Sequence, residues 1–531
     1  MKPLLSLMMF LAVVFTLVPT SAAQQVGAID DRELVETLHA VPKLKAPAAF
    51  EPKDNTVVVE LSEYAGYAGL IVANGGLDPN PNSIFTKKHG FKLQIRLSEE
   101  ESWSKLNAGE MAASATTADV LAVYGKQFAV DVPALIGFSR GADGIVVCSD
   151  IKRINDLAGK TLAASQFTEA DFLIRYLARE AGLEVNLLDD LSAAPDPAKL
   201  NLVYCADGFA AGDLFLRDVQ AGRNRLAGCV TWAPKTDEVA NGSDGKAHVL
   251  LTNRNLLLVA DVLIVNRGFA KAHPEMVAGL VEGLIAGNTM LRADPATHFA
   301  TVGKAFNWDA DKTKAELAKV HLANGPENVA FFDGTIDSAG SFGYIASSAA
   351  LAYGAMADPN LDPDSFVKTK ALRDLQTAGA FANQKASLEP IRSKEPGLVE
   401  QDPILSKTVR FLFDPNSAKF DTKNSENADL LKQIAKTLQI SPGSTILLRG
   451  HVDNTYIDSF RKAGGEQLVR DMALKAMQLS KDRAAAVKKA LVNEFNVDGD
   501  RIQTVGRGWE EPIGTEAEKN RRVEVQWFTL E

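Results

Sequence analysis

The stretch RGHVDNTY, Arg449 to Tyr456, sets His451 and Asp453 two residues apart directly after the apolar run TILL. A histidine and a carboxylate at that spacing could share a proton, ligate a metal or grip a polar ligand, and the pair alone does not choose. Gly137-Phe138-Ser139-Arg140-Gly141 has the G-x-S-x-G spacing of a nucleophile elbow, which needs a strand before the serine and a helix directly after it. The next residues, ADGIVVCSD, form another β-run, so a turn between strands is expected and a hydrolase is not. The sequence contains no H-E-x-x-H, paired C-x-x-C or phosphate loop, so metalloprotease, zinc and P-loop chemistry have no motif to rest on. The 7 histidines are scattered and read as surface or core residues; no metal, other cofactor or catalytic centre is expected.

The elements that must position such residues fall into three stretches. From Thr56 to about Gln384 the runs TVVVEL, FKLQIRL, GIVVCS, KTLAAS, NLVYCA, GCVTW and DVLIVN alternate with helical patterns, which predicts an α/β domain over residues 55–384. KASLEPIRSKEPGLVEQDPIL, with prolines at 390, 396 and 403, predicts a linker over residues 385–404. Residues 405–531 then form a unit of ordinary domain size. Its pattern is a strand (TVRFLF), a helix from Ser425 to Leu438, a strand (STILLRG), a long helical stretch and two strands, RIQTVGRG and RRVEVQWF. Leu430, Leu431, Ile434 and Leu438 share one helix face, as packing on a sheet requires.

The N-terminal residues carry one lysine, an apolar run from Leu4 to Val18 and small residues Ser21, Ala22 and Ala23, the pattern of a secretory signal peptide over residues 1–23. An exposed leader over residues 24–54 is expected next, with a helical pattern from Asp30 to His39 and prolines at 42, 47 and 52. No cysteine stands at the cleavage site to take a lipid, and no later segment is apolar for long enough to cross a bilayer. A soluble, exported protein without a direct membrane anchor is therefore expected. The chain of 531 residues is 46% hydrophobic and 23% charged, and its formal net charge of −10 argues against a nucleic-acid partner. Cys148, Cys205 and Cys229 each lie in or beside an apolar run and read as small core residues, although one disulfide among them stays open.

The ordered motifs RFLFDPNSAKFD, GHVDNT, LSKDRAAAVKKAL, VGRGWEEP and NRRVEVQWF closely resemble the OmpA-like peptidoglycan-binding domain over Leu405 to Glu531. The resemblance implies an α/β sandwich that holds the diaminopimelate part of a peptidoglycan stem peptide. Asp453 matches that family's strand-end aspartate, Arg483 the arginine of its LSxxRA helix, and Asn520, Arg521 and Arg522 its NRR motif. A zwitterionic ligand needs one fixed anion and one fixed guanidinium, and arginine is the planar, bidentate partner for a carboxylate. His451 then becomes a structural residue of the strand end. Three departures stand out: Val452 where the family has threonine, Ala476 where it has asparagine, and an insertion with its own helix, YIDSFRKAGGEQLVRDMALKAMQ.

The large domain resembles periplasmic solute-binding proteins of the nitrate, sulfonate, taurine and thiamine-precursor type. VVVELSEYAGYAGLIVANGGL, ASATTAD, DIKRINDLAGKTLAAS, GCVTWAPKTDEVA and DVLIVNRGFAKAHPEMVAGLVEGLIAG carry the resemblance in order. It implies a type II fold of two α/β lobes closing on a small molecule. Loops after strands and helix N-termini place the candidate solute contacts at Glu63, Tyr64 and Tyr67, at Thr116 and Thr117, at Ser165, Gln166 and Thr168, and at Asp207 and Trp232. Each could equally serve as a turn, cap or core residue, capping above all for Ser165 and Thr168. Ala233 stands where relatives show an acidic residue between Trp and Pro. The combined expectation is a non-enzymatic solute receptor of a Gram-negative-type periplasm, tethered to peptidoglycan and serving an ABC permease or another inner-membrane partner. An envelope scaffold or sensor with a degenerate cleft is the alternative, and a thiamine-precursor-synthase-like enzyme is the less supported rival.

Overall fold

The computed structural model describes residues 34–98, 102–333, 342–386, 388, 403–413 and 416–528. The expected signal segment and most of the expected linker lie outside them. Lobe 1 opens with β1 (Thr56–Leu61), β2 (Lys92–Leu97), β3 (Ala113–Thr117) and β4 (Val130–Ser139). The chain crosses at residues 140–142 into lobe 2, built from β5 (Asp143–Cys148), β6 (Thr161–Ser165), β7 (Val185–Leu187), β8 (Leu200–Cys205), β9 (Gly228–Trp232) and β10 (Ala247–Thr252). It then returns to lobe 1 with β11 (Ala260–Asn266) and β12 (Val320–Leu322).

The two sheets run β12-β4-β11-β3-β1-β2 and β10-β5-β9-β6-β8-β7. Strand β1 lies parallel to β2 and β3, as helical crossovers demand, whereas the returning β11 pairs antiparallel with β3 and β4. All seven residues of β11 are buried, which is why its middle, Val262 to Val265, reads as a continuous apolar run rather than an alternating one. Two sheets, joined by two crossings, give a two-lobed α/β architecture. Ser139 leads through the short crossing straight into β5, so no helix comes after it and the hydrolase-like spacing has no elbow. The cysteines are all free; Cys205 and Cys229 are buried and Cys148 is half-buried.

The leader departs from expectation. Residues 35–40 are not helical, and the described part of the segment is tied down across both lobes. Glu36 N donates to Tyr204 O in lobe 2 at 2.7 Å, while Ala48 N donates to Asn107 O in lobe 1 at 2.9 Å and Phe50 packs edge-on against Phe269. The prolines at 42, 47 and 52 keep it extended, so its backbone groups bond outward to neighbours instead of to themselves.

The C-terminal unit holds β13 (Leu405–Val409), β14 (Thr445–Gly450), β15 (Ile502–Gly506) and β16 (Val523–Phe528) in the order β13-β16-β14-β15. Strand β13 is LSKTV, upstream of the expected TVRFLF; Phe411 is buried and Phe413 makes only an isolated bridge with Phe420. Helix Ser425–Ile440 buries Leu431, Ile434 and Leu438 as its periodicity predicts. A second helical segment, Ile457–Phe495, breaks at Gly464 and Gly465, where φ reaches +65° at the second glycine. The insertion thus forms one short helix and then extends the LSKDRA helix N-terminally. A Cβ on Gly450 would stand 2.0 Å from Ser480 O, so glycine there lets the helix lie directly on the sheet.

The C-terminal unit has partners outside its own sheet. It packs on lobe 2, with Ile154 N donating to Ile404 O at 2.8 Å and Leu257 N to Ile440 O at 2.6 Å. Asn155 exchanges two hydrogen bonds with the Ser406 backbone, at 2.8 and 2.9 Å. Leu177, Leu256, Leu405, Leu430, Ile434 and Trp527 line an apolar seam holding a void of about 30 Å³.

Candidate functional site

Two cavities contain almost all of the residues that the sequence singles out. The first, of about 490 Å³, lies between the lobes where the sheets' crossing strands meet. Tyr64, Tyr67, Thr116, Thr117, Ser165, Gln166, Thr168, Asp207 and Trp232 all line it. Glu63 does not; its Oε1 accepts a 2.6 Å hydrogen bond from Trp308 Nε1.

Several of these side chains are already engaged. The Gln166 amide is held at both ends by the Leu38 backbone, each bond 2.8 Å, so the leader fixes it. Ser165 Oγ and Thr168 Oγ1 lie 2.7 Å apart, and Thr168 makes no side-chain cap to the helix Glu169–Glu180. Asp207 caps the helix Gly208–Gln220 by accepting from Ala210 N at 2.7 Å. Trp232 packs edge-on against Phe209 and over Gly208, where a Cβ would sit 2.3 Å from its ring.

Of the cavity's carboxylates, the sequence points only to Asp207. Glu60, Asp143, Glu169 and Asp261 line the same cavity, and Asp143 and Asp261 are buried at the cleft ends of β5 and β11. Asp143 Oδ2 accepts from Asn253 Nδ2 at 2.9 Å, and Asp261 Oδ1 from Tyr67 Oη at 3.3 Å. Burial pushes the Asp143 carboxyl up to about 6. Burial, followed by the neighbouring Asp143 carboxylate, holds Asp261 well above the usual range against the pull of the Tyr67 and Tyr64 hydroxyls. The signal was an aspartate opening an otherwise apolar strand, in DGIVVC and DVLIVN.

The second cavity, of about 760 Å³, lies in the C-terminal unit. Asp453, Arg483, Arg521 and Arg522 line it, with Phe413, Tyr456, Phe460 and Trp509 as aromatic walls. Asp453 stands at the loop after β14 and accepts from Thr455 N at 3.2 Å, with Arg521 Nε 3.9 Å from its other oxygen. Arg483 projects one turn after Ser480, whose buried Oγ accepts from Gly508 N at 2.9 Å and so fixes the helix against the GRG loop. Its guanidinium donates to Ser417 O at 3.0 Å and stacks 5.1 Å from the Phe413 ring centre. Burial and the neighbouring Arg521 lower its affinity for a proton, while Asp453 opposes them. Arg522 is buried, and its Nε and Nη1 have no hydrogen-bond partner.

Asn520 is placed elsewhere. It is buried, accepts from Ile513 N at 2.9 Å and donates to Gly514 O at 2.8 Å, so it braces a turn rather than reaching the cavity. His451 is buried beside Glu524 at 3.6 Å, in keeping with a structural role at the strand end. Val452 and Ala476, which replace polar residues of the family pattern, both face the cavity, and Tyr456, Phe460 and Met472 of the insertion region form its wall. The insertion borders the cavity without filling it.

Residues 412–526 match the model of the OmpA family. The C-terminal unit is an OmpA-family domain. Among curated proteins, outer membrane protein Omp38 of Acinetobacter baumannii is 31% identical over 204 residues, covering 36% of this chain and 52% of that protein. Outer membrane porin F of Pseudomonas aeruginosa is 30% identical over 134 residues, covering 23% of this chain and 33% of that one. The chain thus spans about half the length of Omp38 and a third of porin F. Among solved structures, the alkanesulfonate-binding protein SsuA of Xanthomonas axonopodis pv. citri, bound to MOPS, is 15% identical with a TM-score of 0.44, covering 60% of this chain and 99% of that chain. The periplasmic nitrate-binding protein NrtA of Synechocystis PCC 6803 is 12% identical with a TM-score of 0.43, covering 64% and 91%.

Proposed function

We propose that the chain is an exported envelope protein that binds two ligands and turns over neither. Its OmpA-family domain holds the diaminopimelate part of peptidoglycan, and its interlobe cleft captures a small solute for an ABC-type permease or another inner-membrane partner. The observation that carries the first half is the convergence of Asp453, Arg483 and Arg521 on one cavity, an anion beside two cations. A free amino-acid centre presents an ammonium to Asp453 and a carboxylate to the Arg483 fork, and the Phe413 ring keeps that fork oriented. The buried donors of Arg522 supply a second place for a carboxylate oxygen.

The packing of the C-terminal domain on lobe 2 favours a second reading, in which the cleft reports its occupancy to the wall-bound domain rather than feeding a transporter. Both readings place the protein in the periplasm of a Gram-negative-type envelope. Co-sedimentation of the intact chain with diaminopimelate-type sacculi tests the wall-binding half: wild type should pellet and Asp453→Ala should stay in solution. Equal pelleting of the two would remove the assigned site.

A further inference from the structure

We propose that the interlobe cleft is built for a small organic cation, a solute carrying an ammonium or amidinium head. This deepens the solute-receptor reading and rests on it. Among the described residues, five acidic side chains line the cavity, Glu60, Asp143, Glu169, Asp207 and Asp261, and no lysine, arginine or histidine does. Buried side-chain oxygens on the cavity wall are left for a guest, the Tyr64 and Thr117 hydroxyls and the following two among them. Asp261, 2% exposed, has no hydrogen-bond partner for Oδ2, and Thr116, 3% exposed, has none for Oγ1. A buried carboxylate oxygen without a donor is costly, and a ligand N–H is the group that relieves it.

The walls fit the same guest. Tyr64 and Tyr67, in edge contact at 5.1 Å, and the rings of Trp103 and Trp232 line the cavity, and aromatic faces attract desolvated cations. Helix N-termini at Glu169 and Gly208 would ordinarily attract an anion, yet each brings its own carboxyl, Glu169 in the first turn and Asp207 at the cap. Among the described residues no group of three or more His, Cys, Asp or Glu is arranged to hold a metal ion, so the positive charge belongs to an organic head.

Acid–base behaviour supplies an independent signature. Burial holds Asp143 at about 6 and Asp261 above its usual range, so at pH 6 and below the unliganded cleft keeps protons that a cation expels. The groups facing these carboxyls are Tyr64 and Tyr67 after β1, buried Asp119 after β3, and Glu169 and Asp207 from lobe 2. Arg140 in the crossing donates toward Arg254 O at 3.4 Å and is absent from the cavity wall. Affinity for a cation therefore rises with pH, by up to about tenfold per unit for each proton released.

The test is a thermal-shift screen of the intact chain followed by calorimetry. Its probes are putrescine, agmatine and choline, set against ethanesulfonate, nitrate and methylphosphonate, with uracil and alanine as uncharged and zwitterionic controls. The expected result is a rise in melting temperature with at least one cation and none with an anion. Calorimetry at pH 6 should show proton release on binding, and Asp261→Asn and Thr116→Val should each weaken binding at least tenfold. A shift caused by an anion or by uracil would overturn the cation assignment while leaving the cleft a receptor. No shift with any probe would overturn both the cation assignment and the receptor reading.

Discussion

The two cavities of this chain are lined by opposite charges. Among the described residues the interlobe cleft carries five carboxyl groups and no basic side chain, whereas the C-terminal cavity sets Arg410, Lys475, Arg483, Arg521 and Arg522 against one carboxylate, that of Asp453. The difference lies in how the sequence supplies each. The C-terminal charges come from loops and a helix around a four-stranded sheet; Arg410, Lys475 and Arg521 are exposed, and Arg483 is half-buried against the Phe413 ring. The cleft acids at Asp143 and Asp261 come from the ends of buried crossing strands, where water cannot neutralise them. One cavity is therefore suited to a ligand that brings a carboxylate, the other to one that brings a cation.

The contrast can be broken most severely at Arg483. Arg483→Ala should weaken binding to a diaminopimelate-containing stem peptide by about 3 kcal/mol, a factor above one hundred, because a buried carboxylate would lose a bidentate partner. Arg483→Lys should recover only part of this in the same calorimetric titration. The cleft is best probed by pH. Asp143 has a folded value raised to about 6 from an ordinary 3.8, so the folded state binds more protons than the unfolded chain between those values. Stability should fall as pH rises through that window, by roughly 3 kcal/mol for this group alone, and chemical melts of Asp143→Asn should show a flatter slope.

Smaller effects sharpen the structural half of the comparison. Gly450→Ala should cost about 1–3 kcal/mol in the stability of the C-terminal domain, since its methyl would meet the Ser480 carbonyl, and a thermal melt checks this. Asp207→Ala should remove about 1 kcal/mol from lobe 2 through the lost cap, read by the same melt.

Much of this was legible in the sequence where chemistry and backbone are local to each other. GHVDNT and LSKDRA announce Asp453 and Arg483 because a strand end and a helix turn fix those side chains within a few residues. The rule that ligands meet loops after strands likewise placed Tyr64, Thr116 and Trp232 on one cavity. What was lost depended on distant neighbours. Asn520 reads as a ligand in NRRVEVQWF and is a brace only because Ile513 and Gly514 come back to meet its amide. Leu256 and Leu430 look like any core leucines until the two domains are brought together, and the leader looks free until Tyr204 and Asn107 take its backbone. Asp143 and Asp261 hid because a strand pattern is judged by its apolar run and not by the residue that opens it.

The most direct test of two cavities for two ligands is a sequential calorimetric titration of the intact chain. The chain is first saturated with a diaminopimelate stem peptide, then titrated with the cation that gave the largest thermal shift. Independent cavities predict an undiminished second isotherm with one site per chain, and loss of the first isotherm alone in Arg483→Ala. Abolition of cation binding by the stem peptide, or stem-peptide binding that survives Arg483→Ala unchanged, would contradict the account.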